Sequence, residues 1–84
     1  MAKVFYQVKK TTTRLGGSPH SESKFFEVWD NAYKFHKELM YNATNWGYRL
    51  NKESKAQRYY YMDYWNDKTG TTIEIEVFTR EFSD

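Results

Sequence analysis

Residues 59–78 read Tyr59-Tyr60-Tyr61-Met62-Asp63-Tyr64-Trp65-Asn66-Asp67-Lys68-Thr69-Gly70-Thr71-Thr72-Ile73-Glu74-Ile75-Glu76-Val77-Phe78, and the way this stretch folds back on itself decides the architecture. Arg58 to Trp65 and Thr71 to Phe82 are runs of aromatic and β-branched residues that suit strands. The Asp67-Lys68-Thr69-Gly70 segment between them is turn chemistry. The stretch reads as a β-hairpin, and side chains alternate across a strand, so its rings cannot all enter one core. Two registers compete. A type I turn with Gly70 in the left-handed bulge position pairs Asp67 with Thr71, Trp65 with Ile73, Asp63 with Ile75 and Tyr61 with Val77. It turns Tyr60, Met62, Tyr64, Glu74, Glu76 and Phe78 outward and buries a carboxylate among isoleucines, which is unfavourable. A four-residue loop shifts the pairing by one. Tyr60, Met62 and Tyr64 then join Ile73, Ile75 and Val77 in a core, Tyr59 and Tyr61 turn outward, and Asp63 is set against Glu76 as a like-charge pair. In either register Glu74, Glu76 and Phe78 share the outer face with at least two hairpin tyrosines.

Upstream, Lys3 to Thr13 reads as a strand with Val4, Tyr6 and Val8 on one face and Lys3, Phe5, Gln7 and Lys9 on the other. Gly16-Gly17-Ser18-Pro19 is the strongest breaker in the chain and marks a turn. Residues 22–46 admit two readings. Ser23 caps one long helix whose stripe is Phe25, Trp29, Ala32, His36, Leu39, Ala43 and Trp46; or Lys24 to Val28 is a strand returning from the Gly-Gly turn, and Asp30 caps a helix from about Asn31 to Asn45. The second is preferred, because Phe25, Phe26, Val28 and Trp29 are bulky residues that suit a strand. That helix buries Ala32, Phe35, Leu39, Ala43 and Trp46, with Tyr33 and Met40 at its edge. Gly47 stands where a left-handed C-terminal cap belongs. Tyr48-Arg49-Leu50 reads as a short strand and Asn51 to Gln57 as a polar turn.

These elements make residues 1–84 a single α+β domain in the order β-β-α-β-β-β, with one helix packed on one face of an antiparallel sheet. The expected core is Val4, Tyr6, Val8, Phe26, Val28, Phe35, Leu39, Ala43, Trp46, Leu50, Ile73, Ile75 and Val77. A chain of this length buries roughly 60–65% of the surface its unfolded form exposes, enough for one core. With no cysteine, no disulfide or thiolate metal site reinforces it. Six Phe, eight Tyr and three Trp supply the burial instead, each ring worth on the order of 150–250 Å².

The net charge of +2 is unevenly placed. Residues 1–20 and 46–60 are basic, whereas residues 61–84 are acidic. A basic first strand beside an acidic last strand, with charges paired across the sheet, accounts for much of this. No stretch reaches the roughly 18 apolar residues that span a bilayer, and the N-terminus turns polar at Gln7, so no signal-peptide apolar region is read there. Together with the absence of cysteine, this points to a cytoplasmic protein that does not contact membranes.

The catalytic inventory is poor. His20 lies in the Gly/Ser/Pro loop and His36 in the helix, neither with a metal-ligand companion at the right spacing. Glu74 and Glu76 share a strand face without evident further oxygen ligands. Phosphate loops, dinucleotide signatures and nucleophile elbows are missing from the sequence. The expectation is a non-enzymatic protein without cofactor or metal. Two binding surfaces remain. The first is a protein-binding face of Tyr60, Met62, Tyr64, Glu74, Glu76 and Phe78, since aromatics and Met are enriched at interface cores; its partner is another protein or a second copy. The alternative is a surface for single-stranded nucleic acid made of Tyr48, Arg49, Lys52, Lys55, Arg58 and Tyr59, using stacking and cations.

The chain resembles, in texture, the short accessory proteins of phages and mobile elements: few residues, an α+β order, many Tyr and Lys, and Asp30-Asn31-Ala32-Tyr33-Lys34-Phe35 leading into Leu39 and then Trp46-Gly47-Tyr48. The resemblance implies a protein that binds a host component, such as a nuclease or another defence factor, in the host cytoplasm. It carries over no functional residue.

Overall fold

The computed structural model describes residues 3–57 and 59–82. Among these, the chain forms β1 (Lys3–Thr13), β2 (His20–Phe26), α1 (Trp29–Asn45), β3 (Arg49–Ala56), β4 (Tyr59–Asn66) and β5 (Thr71–Phe82). The strands make one antiparallel sheet in the order β2-β1-β5-β4-β3. The first and last strands thus lie side by side in the middle. The basic β1 does flank the acidic β5, with Lys9 opposite Glu76. Helix α1 carries the chain from one edge strand to the other, across a single face.

The hydrophobic pattern, not the shorter turn, sets the β4–β5 register. Tyr60 pairs with Val77, Met62 with Ile75 and Tyr64 with Ile73, and Met62, Ile75 and Val77 are fully buried. The register that places Asp63 among the isoleucines is therefore overturned. A one-residue slip would send the whole apolar set to solvent and a carboxylate into the core. Asp63 instead faces Glu74, not Glu76, on the opposite side of the sheet. The turn adapts to this pairing. Asn66 Oδ1 accepts hydrogen bonds from the backbone N–H groups of Lys68 (2.9 Å) and Thr69 (3.3 Å), and the Gly70 N–H closes the loop onto the Asn66 carbonyl at 2.8 Å. Gly70 does take the left-handed conformation, φ 72°, but at the end of a four-residue loop.

The strand-then-helix reading of residues 22–46 holds with shifted boundaries. The strand is His20–Phe26, not 24–28, and the helix begins at Trp29. Val28 occupies the N-cap without a side-chain cap, so Asp30 is not the cap. It lies in the first turn, where a carboxylate favours the positive end of the helix dipole. Ala32, His36 and Ala43 form the buried line of α1; the small alanines let the helix backbone approach the sheet. Trp29, Phe35, Leu39 and Met40 pack around that line. The helix ends in a Schellman motif: Tyr48 N–H donates to Ala43 O (3.0 Å) and Gly47 N–H to Thr44 O (3.1 Å), with Gly47 at φ 88°.

The remaining corrections concern exposure. Residues 51–56 are not a turn but most of edge strand β3, whose residues are all exposed. Val4, Val28, Trp46 and Leu50, expected in the core, are exposed. Val28 sits at the joint before the helix, Trp46 at the C-cap where the chain turns away, and Leu50 on the edge strand beside a bulge.

Candidate functional site

Alternation along five strands leaves one face of the sheet without a covering layer among the described residues. Its side chains fall into rows that run across the strands. One row is Phe25, Gln7 and Phe78; the next is Ser23, Lys9, Glu76, Tyr61 and Ser54; then Ser21, Thr11, Glu74, Asp63 and Lys52; then Thr13, Thr72, Trp65 and Arg49. Phe5, Tyr59 and Arg80 share this face by the same alternation. Phe25, Tyr59 and Trp65 are exposed, and Phe5, Tyr61 and Phe78 are half-buried by their neighbours.

The polar centre of this face is ordered. Gln7, buried between strands, donates from Nε2 to Ser23 Oγ at 2.8 Å and accepts from Arg80 Nε at 3.0 Å. The Arg80 guanidinium also lies over the Phe78 ring, 4.8 Å from its centroid. Tyr61 donates its hydroxyl to Asp63 Oδ2 at 3.2 Å. Burial, reinforced by the charges of Glu74 and Asp63, pushes the Tyr61 phenol up to about 12. Asp63 Oδ1 is closed off from solvent and has no hydrogen-bond partner among the described residues. Three carboxylates, Asp63, Glu74 and Glu76, thus occupy the middle of an aromatic field, with Lys9 and Lys52 as their neighbours in the rows.

The expected protein-binding set is divided by the register. Glu74, Glu76 and Phe78 lie on the uncovered face, whereas Tyr60, Met62 and Tyr64 turn under α1. Met62 and Tyr64 are buried, and Tyr60 belongs to a ring cluster with Trp29 (5.5 Å), Tyr33 (6.2 Å) and His36 (5.4 Å). Tyr60 thus ties the sheet to the helix, and Met62 and Tyr64 belong to the core. Their places outside are taken by Tyr59, Tyr61 and Trp65, and β1 adds Phe5. Phe5 already stands opposite Val4, Tyr6 and Val8 in the sequence alternation, which is the signal that could have placed it.

The alternative nucleic-acid set is divided as well. Arg49 and Lys52 are on the uncovered face of β3, but Lys55 points to the helix side, 5.7 Å from the Tyr60 ring centroid and 4.0 Å from Glu53. Tyr59 is on the uncovered face, Tyr48 packs against the core, and Arg58 lies outside the described residues.

On the helix side, His36 is fully buried and its Nδ1–H donates to the Tyr33 carbonyl, which leaves Nε2 as an enclosed lone pair without a partner among the described residues. Burial lowers its pKa below the ordinary histidine value. A groove of 760 Å³ beside α1 is lined by Met40, Tyr41 and Tyr64 among others. Among the described residues, no group of three or more His, Cys, Asp or Glu is placed to hold a metal ion, and no helix is long and apolar enough to cross a membrane. No protein-family model, curated protein or solved structure matches the chain.

Proposed function

We propose that this chain is a non-enzymatic binding module that holds a protein partner on its helix-free sheet face. The observation that carries the reading is the uncovered face itself. Phe5, Tyr59, Tyr61, Trp65 and Phe78 share one face of the five-stranded sheet with Asp63, Glu74 and Glu76. Aromatic rings gathered on a face that no helix covers favour an interaction site, because Tyr and Trp are enriched among the residues that dominate binding energy. The central carboxylates suit a partner whose contact carries basic or hydrogen-bond-donating groups, and Arg49, Lys52 and Arg80 form a cationic rim. The likeness in texture to phage accessory proteins supplies the kind of partner, a host component in the cytoplasm, and the mode of action, inhibition by occupancy.

Single-stranded nucleic acid is the competing ligand. The same carboxylates argue against it, because a backbone crossing the aromatic rows would pass over Asp63, Glu74 and Glu76. Paired substitutions separate the two ligands. Glu74→Lys with Glu76→Lys abolishes capture of a protein partner from lysate, and native capture persists between about 50 and 200 mM salt. A nucleic-acid ligand gives the reverse: tighter binding by the double variant and steep loss with salt over the same range.

A further inference from the structure

We propose that β2 is a dimerisation edge, pairing antiparallel with β2 of a second copy about a two-fold axis through Ser23. The sheet has two edge strands, and they differ. Strand β3 carries a register shift between Leu50 and Lys52. Such a bulge is a device that keeps a strand from templating another chain. Strand β2 keeps unbroken register with β1 through seven consecutive pairs, from Tyr6–Phe26 to Thr12–His20. It has neither Gly nor Pro, and His20 to Phe25 are all exposed.

The sequence of β2 is self-complementary about its centre. Setting Ser23 opposite Ser23 of a second copy sets Glu22 opposite Lys24 of that copy and Lys24 opposite its Glu22. The same register sets Ser21 opposite Phe25 and His20 opposite Phe26. Opposite charges directly across an antiparallel pair are favourable, and like charges are not. The two neighbouring registers that keep both helices on one side fail on this ground, one by facing Glu22 with Glu22, the other by facing Lys24 with Lys24. The Lys24 ammonium is already held on the helix face of the sheet, 5.0 Å from the Phe35 ring centroid and 5.6 Å from that of Phe26. That is the face on which Glu22 of the second copy arrives.

The two-fold axis runs perpendicular to the sheet. Both helices then lie on one side, and the two uncovered faces join into one surface across ten strands. Isologous pairing of this kind closes on itself and does not propagate. The contact adds roughly six backbone hydrogen bonds and is small by the standard of specific interfaces, so the dimer is concentration-dependent.

Sedimentation equilibrium over a micromolar to millimolar series tests the proposal. Native protein rises from the 10.2 kDa chain mass towards twice that value. Glu22→Lys alone and Lys24→Glu alone each stay at the chain mass, with circular dichroism confirming the fold. An equimolar mixture of these two variants recovers the dimer, because one chain then presents two cations to two anions on the other. The double variant Glu22→Lys with Lys24→Glu dimerises by itself. A native protein that holds the single-chain mass throughout, a dimer indifferent to the single variants, or a mixture that does not reassociate overturns the proposal. None of these results bears on partner binding by the sheet face, which uses other residues.

Discussion

Truncating Met62 and Tyr59 separately reads out which side of β4 faces the core. Met62 is fully buried in the core beside Ile75, whereas Tyr59, three residues away on the opposite side of the same strand, is 40% exposed. Met→Ala at a buried site removes the side chain's transfer free energy and leaves a cavity, about 2–5 kcal/mol. Tyr59→Ala removes a surface ring and falls within about 1 kcal/mol. For a domain of this size each kcal/mol moves the melting temperature by roughly 4–8 °C, so Met62→Ala lowers it by at least about 8 °C. Urea titrations with a common slope give the same ordering as a shift in midpoint. In the register with Met62 outside, the ordering inverts, because the odd-numbered residues of β4 carry the core. A Tyr59→Ala loss equal to or larger than that of Met62→Ala refutes the face assignment and, with it, the site.

Two further outcomes follow from the helix. His36 is neutral in the fold and its pKa is lowered by burial, so the unfolded chain binds the proton at higher pH than the folded one. Stability is therefore fully present above the unfolded value near 6.5 and falls as the pH drops towards the folded pKa; urea midpoints at pH 7.5 and 5 show the loss, and His36→Met reduces that difference. Gly47→Ala forces a β-carbon into a left-handed conformation at the Schellman turn and lowers stability by about 1–2 kcal/mol, measured by the same titration; an unchanged midpoint contradicts the cap geometry.

Much of the fold was legible in the sequence where burial is one-sided. Strands β1 and β5 have their expected bounds because Tyr6 and Val8, and Ile73, Ile75 and Val77, fall on one face at every second position, and Gly47 ends the helix as its conformational freedom requires. The start of β3 reads as a short strand at Tyr48-Arg49-Leu50, but residues 51–56 read as a turn, because an edge strand exposed on both sides carries no apolar signature. The start of α1 was missed because bulky Trp29 looks like strand material, while its packing against Tyr6 at 5.3 Å belongs to the helix. For the candidate site, the expected outer-face set Tyr60, Met62, Tyr64, Glu74, Glu76 and Phe78 keeps only Glu74, Glu76 and Phe78 outside, and Tyr60, Met62 and Tyr64 turn under α1. Turn preference and hydrophobic pattern disagree by one residue, and the Asn66 side chain, which accepts from the Lys68 and Thr69 N–H groups, stabilises the longer loop.

Photo-crosslinking from chosen positions tests the central claim most directly. A benzoyl-phenylalanine replaces Trp65 or Phe78 on the uncovered sheet face, or Tyr41 on the exposed side of α1 as the control, and the protein is irradiated in lysate at moderate salt. The sheet-face account predicts a discrete protein adduct from positions 65 and 78 and none from position 41. Adducts confined to position 41, equal labelling from all three, or nucleic-acid adducts from the sheet face would contradict it.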